Sequence, residues 1–347
     1  MFNTDGLNAL REKHHETLTL MNRLEDTLSA RFYRMDKSIE CMILATLTGE
    51  PMVLLGPPGT AKSRLIRAFC NVLGLVPAEA LHTRSDPKKT VLDKKEAYFE
   101  YLLTQFTEPS ELFGYYDLAK LFGEEKQFER DTSGMMQRAQ VVFLDEVFNA
   151  SSAILNALLT FMNERKFHDR GKLHAVPMRL LFGASNHTPR EDGLQAFYDR
   201  FLLRCRLDHV PATPEEISAL VRSAWGETHA TPVEGGTDFA GLLEKVDGFR
   251  ADVDAMTKAN ALSINPADPI FNRFTDLTSE LRRKELSQMS NRRMVKFSNA
   301  LLAKCLLRAT RSGTSARIEP ADLGIILDFG LDQQDDSAVA KLRAHLE

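Results

Sequence analysis

PMVLLGPPGTAKS, residues 51–63, sets an apolar run (Met52, Val53, Leu54, Leu55) directly against a Gly- and Pro-rich turn that closes on Lys62 and Ser63. The helical pattern RLIRAFCNVL follows it. A buried strand, a tight turn and a helix in that order form a P-loop. The N–H groups of the turn and of the helix N-terminus converge on phosphate oxygens. The candidate nucleotide-binding residues are therefore Gly56, Pro57, Pro58, Gly59, Thr60, Ala61, Lys62 and Ser63. In this pattern Lys62 reaches the β/γ oxygens and the Ser63 hydroxyl ligates Mg²⁺. Ala61 stands where glycine is usual before the lysine, and its methyl group is expected to be tolerated with the residue helical and φ negative.

A second strand end supplies what the P-loop lacks. Val141–Leu144 are four consecutive apolar residues, and Asp145 and Glu146 follow at once. Asp145 is expected to hold Mg²⁺ through a water, and Glu146 to act as the general base that orients and deprotonates an attacking water. Asn186 closes a further apolar run, RLLFGASN, and is expected between the P-loop and the Asp-Glu strand, contacting water or the γ-phosphate. By itself it also fits a turn residue opening Asn-His-Thr-Pro.

Size and composition narrow the function classes. The chain has 347 residues, enough for a large core and a smaller second one. A formal charge of −4 argues against a surface made as a whole for nucleic acid, so nucleic acid is not the expected partner. Cys41, Cys70, Cys205 and Cys305 form no CxxC pair and read as separate thiols of a reducing compartment. The first residues, MFNTDGLNALREKHHE, lack the layout of a signal peptide, and no apolar stretch approaches the ~20 residues that span a bilayer. The expected location is cytoplasmic, with no membrane span. The nine His residues show no metal-ligand spacing.

Alternation of strands and helices with continuous apolar runs points to an α/β fold, a parallel sheet covered on both faces. An amphipathic helix is expected over 7–32, a long surface loop over 76–95, strands over 98–106 and 178–184, and a helix over 153–165. Beyond residue 208 the pattern is helical only: 214–225, 238–260, 271–286, 292–310 and 320–329. The expected domains are a nucleotide-binding core over 1–208, an all-helical lid over 209–330 and a polar tail over 331–347.

The segments VVFLDEVFNASSAILNALLTFMNER, PMRLLFGASNHTP and LQAFYDRFLLR together resemble the MoxR group of AAA+ ATPases, nearest to its RavA-like branch. The resemblance runs from about residue 7 to 328, and the AKS ending of the P-loop belongs to it. It implies an AAA+ αβα sandwich with a small all-α lid, Mg²⁺ and ATP, and a homo-oligomeric ring, usually a hexamer, with nucleotide between subunits. It also implies a chaperone-like remodeller of a protein client, with a von Willebrand factor A domain protein as partner. On this likeness Asn186 is sensor 1, Arg200 in YDRF is the arginine finger, and Arg292 is the sensor 2 arginine, with Arg293 as the competing candidate. Residues 111–139 correspond to the helix-2 insertion that faces the ring pore. Its Tyr115, Tyr116 and Phe122 are read as core positions, with grip on a polypeptide as the alternative. The basic hairpin 165–174 keeps a nucleic-acid motor as the rival function, and a nucleotide-gated scaffold with little turnover is a third reading.

Overall fold

The computed structural model describes residues 1–77, 97–122, 129–169, 172–189, 192–229 and 238–346. Five strands make one sheet: β1 (Met52–Leu55), β2 (Tyr98–Leu102), β3 (Val141–Asp145), β6 (Leu180–Ser185) and β7 (Leu203–Arg206), in the order β2-β3-β6-β1-β7. Every pairing is parallel. A separate antiparallel hairpin, β4 (Lys166–Asp169) and β5 (Lys172–Ala175), projects between β3 and β6. The helices are α1 (Thr4–Lys13), α2 (His15–Ser29), α3 (Asp36–Thr48), α4 (Lys62–Val72), α5 (Pro109–Phe113), α6 (Leu118–Phe122) and α7 (Ser152–Glu164). After them come α8 (Asp192–Tyr198), α9 (Pro214–His229), α10 (Leu242–Lys258), α11 (Pro269–Arg283), α12 (Asn291–Ser312), α13 (Gly324–Phe329) and α14 (Asp336–Ala344).

Strand alternation divides the core in two. Met52 and Leu54, Val141 and Phe143, and Phe182 face one side, where α1–α4 and α10–α13 pack. Val53, Leu55, Val142, Leu144 and Leu181 face the other, with α5, α7 and α8. Side chains alternate across a strand, so each four- or five-residue apolar run feeds both layers. The result is an αβα sandwich. The helices after α9 share the first of these cores with α1–α3 and the sheet.

Several expectations are revised. The single helix of 7–32 is two, broken at His14, whose φ of −110° leaves the helical region. The unforeseen α3 is buried on almost every side, so its sequence carries little amphipathic contrast. The 98–106 strand stops at Leu102, where Leu103 N–H turns to donate to Asp145 O. The polar tail carries helix α14, whose N-cap Asp335 accepts from Ala338 N–H and whose Leu342 is buried. Tyr115 and Phe122, read as core positions, are 61% and 81% exposed. The loop expected over 76–95 lies almost wholly outside the described residues, as do 123–128 of the insertion. No described helix is long and apolar enough to cross a membrane.

Candidate active site

Parallel strands present their C-terminal ends together, and the three strand-end motifs meet there. β6 lies between β1 and β3, so Asn186, the first residue after β6, stands between the P-loop after β1 and Asp145-Glu146 at the end of β3. Lys62 Nζ donates to Gly56 O (2.6 Å), Pro57 O (3.0 Å) and Asn186 Oδ1 (3.0 Å). Asn186 passes the chain on, its Nδ2 donating to Glu146 Oε1. The other carboxylate oxygen, Oε2, accepts from Asn149 Nδ2 at 3.3 Å. Ser63 Oγ donates to Asp145 Oδ2 at 2.9 Å, and Asp145 Oδ1 accepts the N–H of Glu146. Burial holds Lys62 below its usual range, opposed by the charges of Asp145 and Glu146.

The loop's shape has identifiable causes. Gly56 donates its N–H to Ser185 O, and a Cβ there would lie 2.3 Å from Leu207 O, so only glycine lets the loop leave β1 beside β7. Thr60 Oγ1 donates to Pro57 O at 2.9 Å and closes the turn. Gly59 has φ +83°. Ala61 is left-handed, φ 60° and ψ 23°, which corrects the expectation of negative φ. The turn into α4 needs that conformation, and alanine accepts it with a strain of about 1 kcal/mol. Glu146, at φ 50°, is a second left-handed residue at the centre of the site. Beside the loop a cavity of about 310 Å³ opens between the 31–35 segment, Gly59–Ala61, the chain leaving β7 and one side of α9. Phe32, Met35, Val210 and Leu220 give it apolar walls.

This set fits a nucleotide triphosphate with Mg²⁺. The lysine is held by loop carbonyls at the mouth of a turn with positive φ at Gly59 and Ala61, and the Ser63 hydroxyl and Asp145 carboxylate lie at hydrogen-bond distance with the Glu146 carboxylate adjacent. Ser63 and Asp145 would hold the ion.

Arg200 and Arg292 stand elsewhere. Arg200 lies in the turn before β7, whose first residue pairs with Met52 at the start of β1. It is therefore at the end of the sheet opposite its own P-loop, on the order of 10 Å of strand away. Arg292, in the first turn of α12, is its neighbour. Burial, and after it the Arg292 charge, pull Arg200 below the usual range against the opposing pull of Asp199. Ser290, the N-cap of α12, donates to Asp199 Oδ2 at 3.2 Å and ties the two arginine segments together. Arg293, the competing sensor, is 1% exposed and spent internally on Gly330 O (2.9 Å), Ser287 Oγ and Asp332 Oδ1 (both 3.2 Å).

Asp332 had no signal in the sequence and proves central to this edge. It pairs with the buried guanidiniums of both Arg204 and Arg293, and its Oδ2 accepts from Ser287 and from the N–H of Gln288. Burial, then the nearby Arg204, brings Arg293 down to about 9. Asp332→Ala is expected to cost about 3–5 kcal/mol of stability, because two facing guanidiniums lose their shared carboxylate. A urea titration followed by circular dichroism measures it; a change under about 1 kcal/mol would mean that water replaces the carboxylate.

Known proteins resemble this chain in sequence and in fold. The family described as "MoxR domain in the MoxR-vWA-beta-propeller ternary systems" matches residues 19–91 and 88–239, more than half of the chain. Two uncharacterized proteins of Methanocaldococcus jannaschii are 40% identical, over 189 residues (54% of this chain, 44% of the relative) and 185 residues (53% and 44%). A structural protein of the Acidianus two-tailed virus is 28% identical over 202 residues, 58% of this chain and 29% of that one. The match thus spans less than half the length of these relatives. The crystal structure of a candidate ATPase from Cytophaga hutchinsonii shares the fold, with a TM-score of 0.65, 15% identity, and coverage of 98% of this chain and 96% of that one. With its P-loop, acidic strand end and intervening asparagine on an αβα sandwich, this chain belongs to the MoxR family of AAA+ ATPases.

Proposed function

We propose that the chain hydrolyses Mg²⁺-ATP and couples hydrolysis to remodelling a protein partner, as a ring, usually hexameric, of the RavA-like kind. The observation that carries the hydrolytic part is the unbroken path from Lys62 through Asn186 to Glu146, with Ser63 and Asp145 beside it. In the reaction Lys62 exchanges its loop carbonyls for phosphate oxygens. Glu146, oriented by the amides of Asn186 and Asn149, takes the proton of the attacking water. Asn186, bonded to both groups, links the state of the lysine to the aim of the carboxylate. Mg²⁺, when bound, neutralises phosphate charge that these side chains leave over.

Arg200 stands a strand's length from its own P-loop with Arg292 beside it, and this supports their completing the site of an adjacent subunit. The partner reading rests on the family, whose described systems join a MoxR domain to a von Willebrand factor A protein and a β-propeller. The exposed Tyr115 and Phe122 are the residues we assign to client contact.

Lys62→Ala tests the nucleotide site directly. Lys62 is the one cationic residue of 56–63, and charge-assisted bonds to phosphate contribute about 1.5–3 kcal/mol each. ATP affinity by calorimetry is expected to fall by at least about a hundredfold. Unchanged affinity would reduce residues 56–63 to a structural turn. For the partner, co-elution of a von Willebrand factor A domain protein with ATP and its release with ADP is the expected result; binding blind to nucleotide would reject coupling.

A further inference from the structure

The helix that walls the cavity beside the P-loop is not held by a buried face over residues 214–225. None of residues 214–225 of α9 is buried, and Ile217, Val221 and Trp225 lie along one exposed side while Leu220, Ser223 and Ala224 line the cavity. Helices in proteins draw most of their stability from a buried apolar face, so α9 needs some other hold to stay across the opening. Its first turn supplies one. Glu216 Oε2 accepts from the Tyr33 hydroxyl at 2.9 Å, and Oε1 meets Arg34 Nη2 at 3.1 Å. Both partners sit on the 31–35 segment, the opposite wall of the cavity. Arg34 is itself left-handed, φ 56°, which turns its guanidinium segment out of line with α2 and toward α9.

We propose that Glu216 is the latch of this cavity: with Tyr33 and Arg34 it holds α9 across the opening and sets the rate at which nucleotide leaves. The proposal rests on the nucleotide reading of the site. The two halves of the latch differ in kind. The Tyr33 bond is a hydrogen bond to a carboxylate, and the Arg34 pair is half exposed and screened by salt. Release should therefore quicken with ionic strength in the native protein, and only as long as Glu216 carries its charge.

The test is the dissociation rate of N-methylanthraniloyl-ADP, chased with ADP in a stopped-flow instrument at low and high salt. Glu216→Ala is expected to raise that rate about tenfold, and Tyr33→Phe and Glu216→Gln about threefold each. In Glu216→Gln the salt dependence should flatten, which a merely structural role for the residue would not produce. Tyr33→Phe on a Glu216→Ala background should add nothing further. Tyr33→Phe removes one oxygen and keeps the ring, so it carries the test even where Glu216→Ala folds poorly. Rates within twofold of the native protein in all the variants overturn the latch and leave the nucleotide site standing. No binding of the analogue by the native protein overturns both.

Discussion

Glu146→Gln is expected to bind ATP with native affinity and to turn it over about 10²–10⁴-fold more slowly. Glutamine has the same length, and a left-handed backbone constrains both residues alike, so φ 50° at this position is no harder to hold. What changes is the second oxygen. The native carboxylate accepts from Asn186 on one oxygen and from Asn149 on the other. An amide keeps a single acceptor and cannot take a proton from water. Hydrolysis should fail while the Lys62 and Ser63 contacts are untouched, and a complex locked with ATP should accumulate. Single-turnover hydrolysis alongside equilibrium binding separates the two effects. Turnover within a few-fold of native would remove Glu146 as the base and shift attention to Asp145.

The meeting of the candidate site residues was legible because they stand at strand ends. Each of Leu55, Asp145 and Ser185 closes an apolar run, and parallel strands bring such ends to one edge, so the meeting of the P-loop, Glu146 and Asn186 follows from topology. Residues that act through the path of the chain had no such marker. Ala61 takes a positive φ because the turn into α4 requires it, although alanine predicts the opposite sign. Apart from the P-loop residues, the cavity walls come from three stretches, 31–35, 207–211 and α9, that share no pattern and meet only in the fold. Asp332 reads as the start of a polar tail, yet it neutralises Arg204 on β7 and Arg293 on α12, 128 and 39 positions away. Tyr115 and Phe122 show the opposite failure: aromatic residues at these spacings suggest core, and these stand in solvent.

Arg200→Ala is expected to bind nucleotide normally and to hydrolyse it about 10³–10⁵-fold more slowly, with the loss appearing only in assembled protein. A guanidinium suits the charge spread over the γ-phosphate oxygens of a loose transition state. In this chain it stands a strand's length from its own Lys62, beside Arg292, and is tied through Asp199 to Ser290 at the head of α12. Its Nε is buried without a hydrogen-bond partner in the isolated subunit, and burial already holds the group below its usual range. The proposed finger role sets this guanidinium, beyond its contact with Asp199, against a phosphate bound by an adjacent subunit. Mixing Arg200→Ala with Lys62→Ala subunits tests this. The first keeps a working P-loop and the second a working finger, so interfaces that join the two regain hydrolysis although each protein alone is inactive. Activity should peak at intermediate ratios and vanish at both ends. No recovery in mixed assemblies, with sizing to establish that both proteins are present, would mean that Arg200 works within its own subunit or that the chain does not act as a ring. Native turnover in Arg200→Ala alone would reject the finger role and leave the arginine as part of the edge that Asp199 and Ser290 hold together.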